Sequence, residues 1–271
     1  MKITFSKYHG LGNDFIIVDD SNRAVSAGLR TDQVPRLCDR HTGAGADGLI
    51  LRQASSRADH RMVLFNADGS PAEISGNGLR CFALFLKERG YDANRELSVE
   101  TGGGVQKVRL IDRTAVETTL PLPSFGDAGS PVPIELCADG KCFMVVPVNV
   151  GNPHGVIFGP ERDEEFARHF GAVLEKHPAF PEGANIEFVN VISPRECRLV
   201  VWERGAGFTL ACGSGSEASA CAGAGLGHFE WDAPIAVHQP GGTLEIVVSK
   251  GFREVRQRGP AVFVFKGEVE L

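Results

Sequence analysis

No apolar run in this chain approaches the length needed to cross a bilayer. Positive charge is in short supply: 28 Lys and Arg stand against 34 Asp and Glu, for a formal charge of −6 and a pI near 5.8. That balance argues against nucleic acid or an anionic membrane as the main partner. There is no Cys-x-x-Cys pair. The seven cysteines (38, 81, 137, 142, 197, 212, 221) are odd in number and irregularly spaced, and Cys137 and Cys142 stand five apart with no His nearby. A disulfide framework or a zinc site is not expected from that pattern, and most of these thiols read as small buried apolar residues. No Lys stands in a recognisable pyridoxal phosphate context and no metal-ligand spacing occurs, so neither cofactor nor metal is expected. Met1–Lys7 reads as a strand start rather than a secretory signal, which makes the cytoplasm the expected compartment.

What remains is an ordinary globular composition, 42% apolar and 23% charged over 271 residues, enough for two cores or one large one. Glycine is abundant, and it sits in a pattern. Residues 65–78, Phe-Asn-Ala-Asp-Gly-Ser-Pro-Ala-Glu-Ile-Ser-Gly-Asn-Gly, align without a gap on residues 202–215, Trp-Glu-Arg-Gly-Ala-Gly-Phe-Thr-Leu-Ala-Cys-Gly-Ser-Gly. Both begin on an aromatic and close on Gly-x-Gly, with Ser75 or Cys212 directly before it. These two residues lie 137 positions apart (212 − 75). Asn13 and Asn152, each in a Gly-Asn turn, are 139 apart (152 − 13), and Val99 and Val237, each leading to glycines and a strand-like run, are 138 apart (237 − 99). With 33 glycines a single Gly-x-Gly coincidence is cheap; three collinear anchors at nearly constant offset indicate an internal duplication. The period is too long for a solenoid and suits two similar domains.

In chain order, strands are expected at Lys2–Phe5 and Phe15–Asp19, then a helix at Thr31–Arg40 and a loop at His41–Gly48. A strand at Arg61–Phe65 feeds the first motif, and Leu79–Lys87 has helical periodicity ending at Gly90. Strands follow at Leu97–Glu100, Val105–Ile111 and Ala115–Leu120, and the proline-rich stretch Pro121–Pro133 reads as the crossing between halves. The second half repeats the plan. It has strands at Phe143–Val150, Asn185–Val191 and Arg198–Trp202, an acidic-started helix at Asp163–Glu175, and a small-residue helix at Ser214–Gly225. Closing strands are expected at Ile235–Val237, Thr243–Val248 and Val262–Phe265. The halves are therefore placed at 1–118 plus 259–271 and at 119–258.

A strand, then Ser/Cys-Gly-x-Gly, then a helix presents unpaired backbone N–H groups at a helix N-terminus, where glycine allows close approach and an anion is favoured. Two such turns converging on one site could hold an amino acid's α-carboxylate. The same dipoles are expected to lower the pKa of the Cys212 thiol from its usual value of about 8.5 toward neutrality. A thiolate on one face of a Cα–H and an acid on the other is the arrangement that inverts a stereocentre.

The chain resembles the diaminopimelate epimerase family along essentially its whole length. The resemblance is carried by Tyr8-His9-Gly10-Leu11-Gly12-Asn13-Asp14-Phe15, Asn66-Ala67-Asp68-Gly69-Ser70 and Gly76-Asn77-Gly78-Leu79-Arg80-Cys81. It continues through Gly151-Asn152-Pro153-His154, Glu203-Arg204-Gly205-Ala206-Gly207 and Ala211-Cys212-Gly213-Ser214-Gly215. It implies an α+β fold of two pseudo-symmetric halves, each a curved or barrel-like sheet around a central helix, with the site in the cleft and the last strand returned to the N-terminal half. It also implies a cofactor-independent isomerase, commonly a homodimer, that converts L,L- to meso-diaminopimelate, a precursor of lysine and peptidoglycan. Carried over by position, Asn13, Asn66, Asn152, Asn185, Glu203 and Arg204 are the substrate-binding side chains. Arg204 would take the distal carboxylate and Glu203 the distal ammonium, the backbone at Gly76, Asn77, Gly213 and Ser214 the reacting carboxylate, and His154 is given a supporting role.

The departures lie at the centre. The family's two acid/base residues are both cysteines; here the second is Cys212 but the first is Ser75, a far weaker acid. Phe208 stands where a Glu is usual. Two readings stay open: an epimerase impaired at one base, or a diverged member that binds an amino acid without efficient inversion or works on a related one with a single base. Ser75 as a plain helix N-cap is compatible with either.

Overall fold

The computed structural model describes residues 2–30, 32–91, 95–112 and 114–270. They form two compact units, 1–119 with 258–271, and 120–257.

In the first unit, β1 (Lys2–Gly10) and β2 (Asn13–Asp19) form a hairpin. β2 runs parallel to β3 (Gly48–Gln53), which pairs antiparallel with β4 (His60–Asn66). β4 pairs with the short β5 (Pro71–Ala72) and, in parallel, with β6 (Leu97–Thr101). β7 (Gly104–Leu110) and β8 (Ala115–Leu120) complete the meander. The second unit repeats these pairings. β9 (Ile134–Ala138) precedes the hairpin β10 (Lys141–Asn149) with β11 (Pro153–Phe158). β12 (Asn185–Ser193) is parallel to β11 and antiparallel to β13 (Glu196–Glu203). β13 pairs with β14 (Gly207–Phe208) and, in parallel, with β15 (Pro234–Gln239), which turns back into β16 (Gly242–Val248). The duplication is therefore one of hydrogen-bonding plan. After β17 (Val255–Pro260), the last strand, β18 (Val262–Glu270), pairs antiparallel with β1, so the C-terminus is built into the first unit.

One helix is central to each unit. Gly76–Glu88 buries every residue from Asn77 to Leu86, and its Leu79, Phe82 and Phe85 form the first core with Tyr8, Phe15, Ile17, Ile50 and Val99. Each large side chain buried this way contributes about 1.5–3 kcal/mol. Gly213–Leu226 is just as deeply buried but, apart from Glu217 and Leu226, is built from Gly, Ala, Ser and Cys. Its smallness is a fit requirement: a Cβ at Gly223 would lie 2.3 Å from the Phe229 ring, and one at Gly225 would lie 2.4 Å from Pro131. It ends on Gly227 in the left-handed conformation, φ 82°.

Several sequence expectations are corrected. The helix expected over Thr31–Arg40 spans only Gln33–Cys38. Asp39 turns extended, and its carboxylate accepts the backbone N–H groups of His41 and Thr42, a local turn that competes with helix. Thr31 lies outside the described residues. The helix expected over Asp163–Glu175 is interrupted by a π turn at Ala167–Gly171, where Gly171 packs directly on Trp202. The cysteines are not all free: Cys137 and Cys142 form a disulfide. Asp139 and Gly140 both take positive φ, 46° and 76°, and make a two-residue hairpin that sets the two cysteines opposite one another on β9 and β10. The Asp-Gly dipeptide was the signal.

Candidate active site

The first half-site is built where β1, β2 and the first central helix meet. Ser75 is extended, φ −139° and ψ 121°, and caps the helix, its Oγ accepting the Gly78 N–H at 3.1 Å. Gly78 has no room for a side chain, since a Cβ would stand 3.2 Å from both Ser75 Cβ and the Ile50 methyl. Asn13 starts β2 after the turn Leu11-Gly12, both at positive φ. Asn13 Nδ2 donates to Asp47 Oδ2 at 2.8 Å, and Asn13 Oδ1 accepts from Asn77 Nδ2 at 3.1 Å. Asp47 and Asp14 are held by charge: Arg40 bonds to both, and Lys7 lies 2.8 Å from Asp14. Burial alone would raise the Asp14 carboxyl, but the bonds from Arg40 and Lys7 more than reverse this and bring it down to about 2. Asn66 is exposed at the end of β4, its Nδ2 donating to Ser70 Oγ at 2.9 Å.

The second half-site has the same construction with different side chains. Cys212 caps its helix, Sγ accepting the Gly215 N–H at 3.3 Å, and the Ser214 hydroxyl lies 3.5 Å away. Gln239 clamps the turn from β15. Its Oε1 accepts the Cys212 N–H at 2.7 Å, its Nε2 donates to Ser216 Oγ, and that hydroxyl donates to the Cys212 carbonyl. Beneath them lies a fully buried pair, His154 Nδ1 and Glu187 Oε1, at 2.7 Å. The other ring nitrogen meets Asn152 Oδ1 at 3.0 Å, and Asn152 Nδ2 points to Ser214 Oγ at 3.5 Å. Asn185 spans two backbones, donating to the Pro153 carbonyl and accepting the Arg204 N–H at 2.8 Å. Arg204 Nη1 reaches the Glu182 carbonyl, and Glu203 accepts from the Thr209 hydroxyl.

The expected depression of the Cys212 pKa is corrected. Burial, then the carboxylates of Glu203 and Glu187, push the thiol well above its ordinary value; the bonds from Ser214 and the Gly215 N–H act the other way and do not offset this. These surroundings favour the protonated thiol, a proton donor.

A profile of the family described as "Diaminopimelate epimerase" matches residues 5–120 and 146–264, which hold both capped turns and every residue placed above. The chain belongs to the diaminopimelate epimerase family. Among curated relatives, the diaminopimelate epimerase of Carboxydothermus hydrogenoformans is 40% identical over 276 residues, covering 98% of this chain and 99% of that protein. That of Moorella thermoacetica is 42% identical, covering 98% and 99%. Among solved structures, a phenazine biosynthesis protein of the PhzF family from Bacillus anthracis superposes with a TM-score of 0.75 over 100% of both chains at 18% identity, a likeness of fold.

Within each unit, the residues singled out on this family's motifs come together. Ser75, Gly76, Asn77 and Asn13 form one group; Cys212, Gly213, Ser214, Asn152, His154, Asn185, Glu203 and Arg204 form the other. Asn66 meets only its own turn through its side chain. Phe208 packs against the second core, with the Arg168 guanidinium 5.1 Å over its ring. Sequence reasoning missed Arg80, Glu187 and Gln239 as parts of the site, and it read Asp47 as loop structure alone. For Glu187 a signal existed: a lone carboxylate between Ile186 and Phe188 in a strand with no other charge.

Another buried acid lies just beyond the turn. Glu217 is 2% exposed, its Oε1 has no hydrogen-bond partner, and burial holds its carboxyl well above the ordinary range. The folded state thus binds this proton more tightly than the unfolded chain does, so Glu217 costs stability progressively as pH rises above the unfolded value of about 4.3. Glu217→Gln is expected to be the more stable protein at neutral pH, with a gap in urea midpoint that widens between pH 5 and pH 8. A gap that stays constant over that range would mean Glu217 does not hold the proton.

No helix among the described residues is long and apolar enough to cross a membrane.

Proposed function

We propose that this chain interconverts L,L- and meso-diaminopimelate by removing the proton at one α-carbon and returning one on the opposite face, with side chains of the protein alone as acid and base. The family-level activity stands on full-length relatives near 40% identity. The observation that carries the residue-level reading is the matched pair of capped turns. Each unit presents a Gly-x-Gly helix start whose N-cap side chain, Ser75 or Cys212, accepts the N–H three residues on.

In this reading the N–H groups at Gly76, Asn77, Gly213 and Ser214 hold the carboxylate of the reacting centre, where helix ends favour negative charge. Cys212 serves one face of the α-carbon. Ser75, or a water it holds, serves the other. Glu203 and Arg204 take the distal ammonium and carboxylate, and the pinning of Arg204 by Asn185 and the Glu182 carbonyl supports a fixed direction for its guanidinium. The test is chiral chromatography after incubation with L,L-diaminopimelate in the presence of a chelator and without pyridoxal phosphate. Appearance of the meso isomer, with no competition from proline or glutamate, is the expected result. Racemisation of a short amino acid in place of diaminopimelate would remove the substrate assignment.

A one-base reading is favoured by Ser75 itself: an aliphatic hydroxyl gives up its proton far less readily than a thiol. The protein is then slow at inversion while keeping the binding residues. The cytoplasm is the compartment this reading assigns, and there the Cys137–Cys142 bridge is expected to be reduced.

The same reading takes the chain as a homodimer. Support comes from β18, where Val262, Phe263, Val264 and Phe265 are consecutive and each 38–48% exposed. Strand side chains alternate, so Val262 and Val264 share one face while Phe263 and Phe265 lie on the other beside Tyr8 and Phe5; exposed apolar groups on a strand are surface that seeks cover. Val264→Lys is expected to halve the mass measured by light scattering. A wild-type mass of one chain would end the dimer assignment.

A further inference from the structure

Arg80 is the largest fully buried side chain among the described residues. It lies in the second turn of the first central helix, and its partners lead outward to the site. Nε donates to the Pro260 carbonyl at 3.3 Å, and Nη2 donates to Asn77 Oδ1. Asn77 Nδ2 donates to Asn13 Oδ1 at 3.1 Å, and Asn13 Nδ2 donates to Asp47 Oδ2 at 2.8 Å. Asp47 is in turn bonded to Arg40 at 2.6 Å and to the backbone N–H of Asp14 at 3.0 Å. Two neutral amides thus connect a buried cation to a carboxylate, and each passes a hydrogen bond in the same direction. The charges at the two ends decide which way each amide faces. A flipped Asn77 would set its NH2 against the guanidinium, and a flipped Asn13 would set its carbonyl oxygen against Asp47. Gly10 makes room for the arrangement, because a Cβ there would lie 3.3 Å from Arg80 Nη2 and 3.4 Å from Asn77 Cβ.

We propose that Arg80 is the positioning residue of the first half-site: by fixing Asn77 and, through it, Asn13, it sets the geometry in which the Gly76–Asn77 turn and the Asn13 side chain receive the substrate. This rests on the proposed function for the identity of that substrate. Arg80 touches no ligand in this scheme. It works from inside the core, where burial draws its pKa down to about 10 and leaves it charged at neutral pH. Lysine would keep the charge but not the fork, and a single ammonium on a shorter reach cannot hold both the Pro260 carbonyl and Asn77 in plane.

The experiment uses the full-length protein and three variants: Arg80→Lys, Asn77→Ala and the double. The first readout is independent of turnover: the side-chain NH2 signals of Asn13 and Asn77 in nitrogen-15 spectra. In the wild type, Asn13 is expected to show slow amide exchange. Arg80→Lys should reduce that protection, leaving the part that the Asp47 bond to Asn13 Nδ2 supplies, with backbone signals elsewhere unchanged. Asn77→Ala, which keeps Arg80 and breaks the next link, should free Asn13 to the same degree, so the proposal stays testable if Arg80→Lys does not fold. The second readout is kinetic. Each single variant should raise KM for diaminopimelate on the order of 10–10²-fold, the scale of an ångström-level misplacement, with the double variant no worse than the singles. Additive effects in the double, or Asn13 protection that equals the wild type in both single variants, would overturn the proposal. If the wild type has no activity on diaminopimelate, the substrate assignment fails, and the Asn13 signals alone decide whether Arg80 fixes the chain.

Discussion

Cys212→Ala is expected to lower both α-proton exchange and inversion of diaminopimelate by about 10²–10⁴-fold, the span for a positioned acid–base group. The thiol is placed by four constraints: the Gly215 N–H on its sulfur, Gln239 on its backbone N–H, Ser216, itself bonded to Gln239, on its carbonyl, and a helix made mostly of small residues behind it. Because Cys212 is also the N-cap, alanine additionally costs on the order of 1 kcal/mol of stability. Cys212→Ser separates the two effects, since it keeps an acceptor for Gly215 and loses the acidity. Serine should restore the melting temperature and leave the rate low. The pH dependence follows from the surroundings: burial and the carboxylates of Glu203 and Glu187 raise the thiol, so the thiolate fraction grows only as pH rises above the ordinary cysteine range. A substrate ammonium taken up by Glu203 would cancel one of those two like charges and draw the thiol downward. The expected kcat/KM profile therefore climbs on the alkaline side, and Glu203→Gln should move that climb to lower pH.

Ser75→Cys is expected to change the rate in the other direction, raising inversion by at least about 10²-fold, the low end for such a group. The geometry favours the exchange. Cys212 Sγ already accepts its helix N–H at 3.3 Å in the second unit, and Ser75 Oγ makes the equivalent bond at 3.1 Å in the first. A sulfur at position 75 can therefore cap the helix as the oxygen does, and the side chain remains partly accessible. If Ser75→Cys left inversion unchanged while the wild type already turned over at an enzymatic rate, the assignment of Ser75 to the second face would be wrong.

The parts of the fold that follow from one-dimensional pattern were legible. The alternation in β6, β7 and β16, the apolar periodicity of Leu79–Lys87 and the Gly-x-Gly starts of both central helices are local signals, and the duplicated offset exposed the repeated plan. What escaped were features made by contacts between distant segments. Gln239 lies 27 residues beyond Cys212, and only the register of β15 against β13 brings it to the turn. Glu187 and Arg80 are charges whose sequence surroundings look like core, and neither announces that its partner is an asparagine or a histidine of the site. The thiol's environment was misjudged for the same reason. A helix N-terminus is visible in the sequence, while the burial and the two carboxylates that outweigh it are set by β12 and β13. The short helix at Gln33–Cys38 and the Cys137–Cys142 bridge were lost to turn chemistry at Asp39 and Asp139-Gly140, which was present in the sequence but not weighted.

The central claim is that two bases of unequal strength work on opposite faces of one α-carbon. It is tested most directly by incubating the protein with L,L- and, separately, meso-diaminopimelate in deuterated water, and following deuterium uptake and stereochemistry together. The account predicts that the wild type washes deuterium into one stereoisomer faster than it inverts it, because Cys212 returns a proton to its own face more readily than Ser75 supplies one to the other. Ser75→Cys should bring the two rates together. Equal rates of exchange and inversion in the wild type, unchanged in Ser75→Cys, would contradict it.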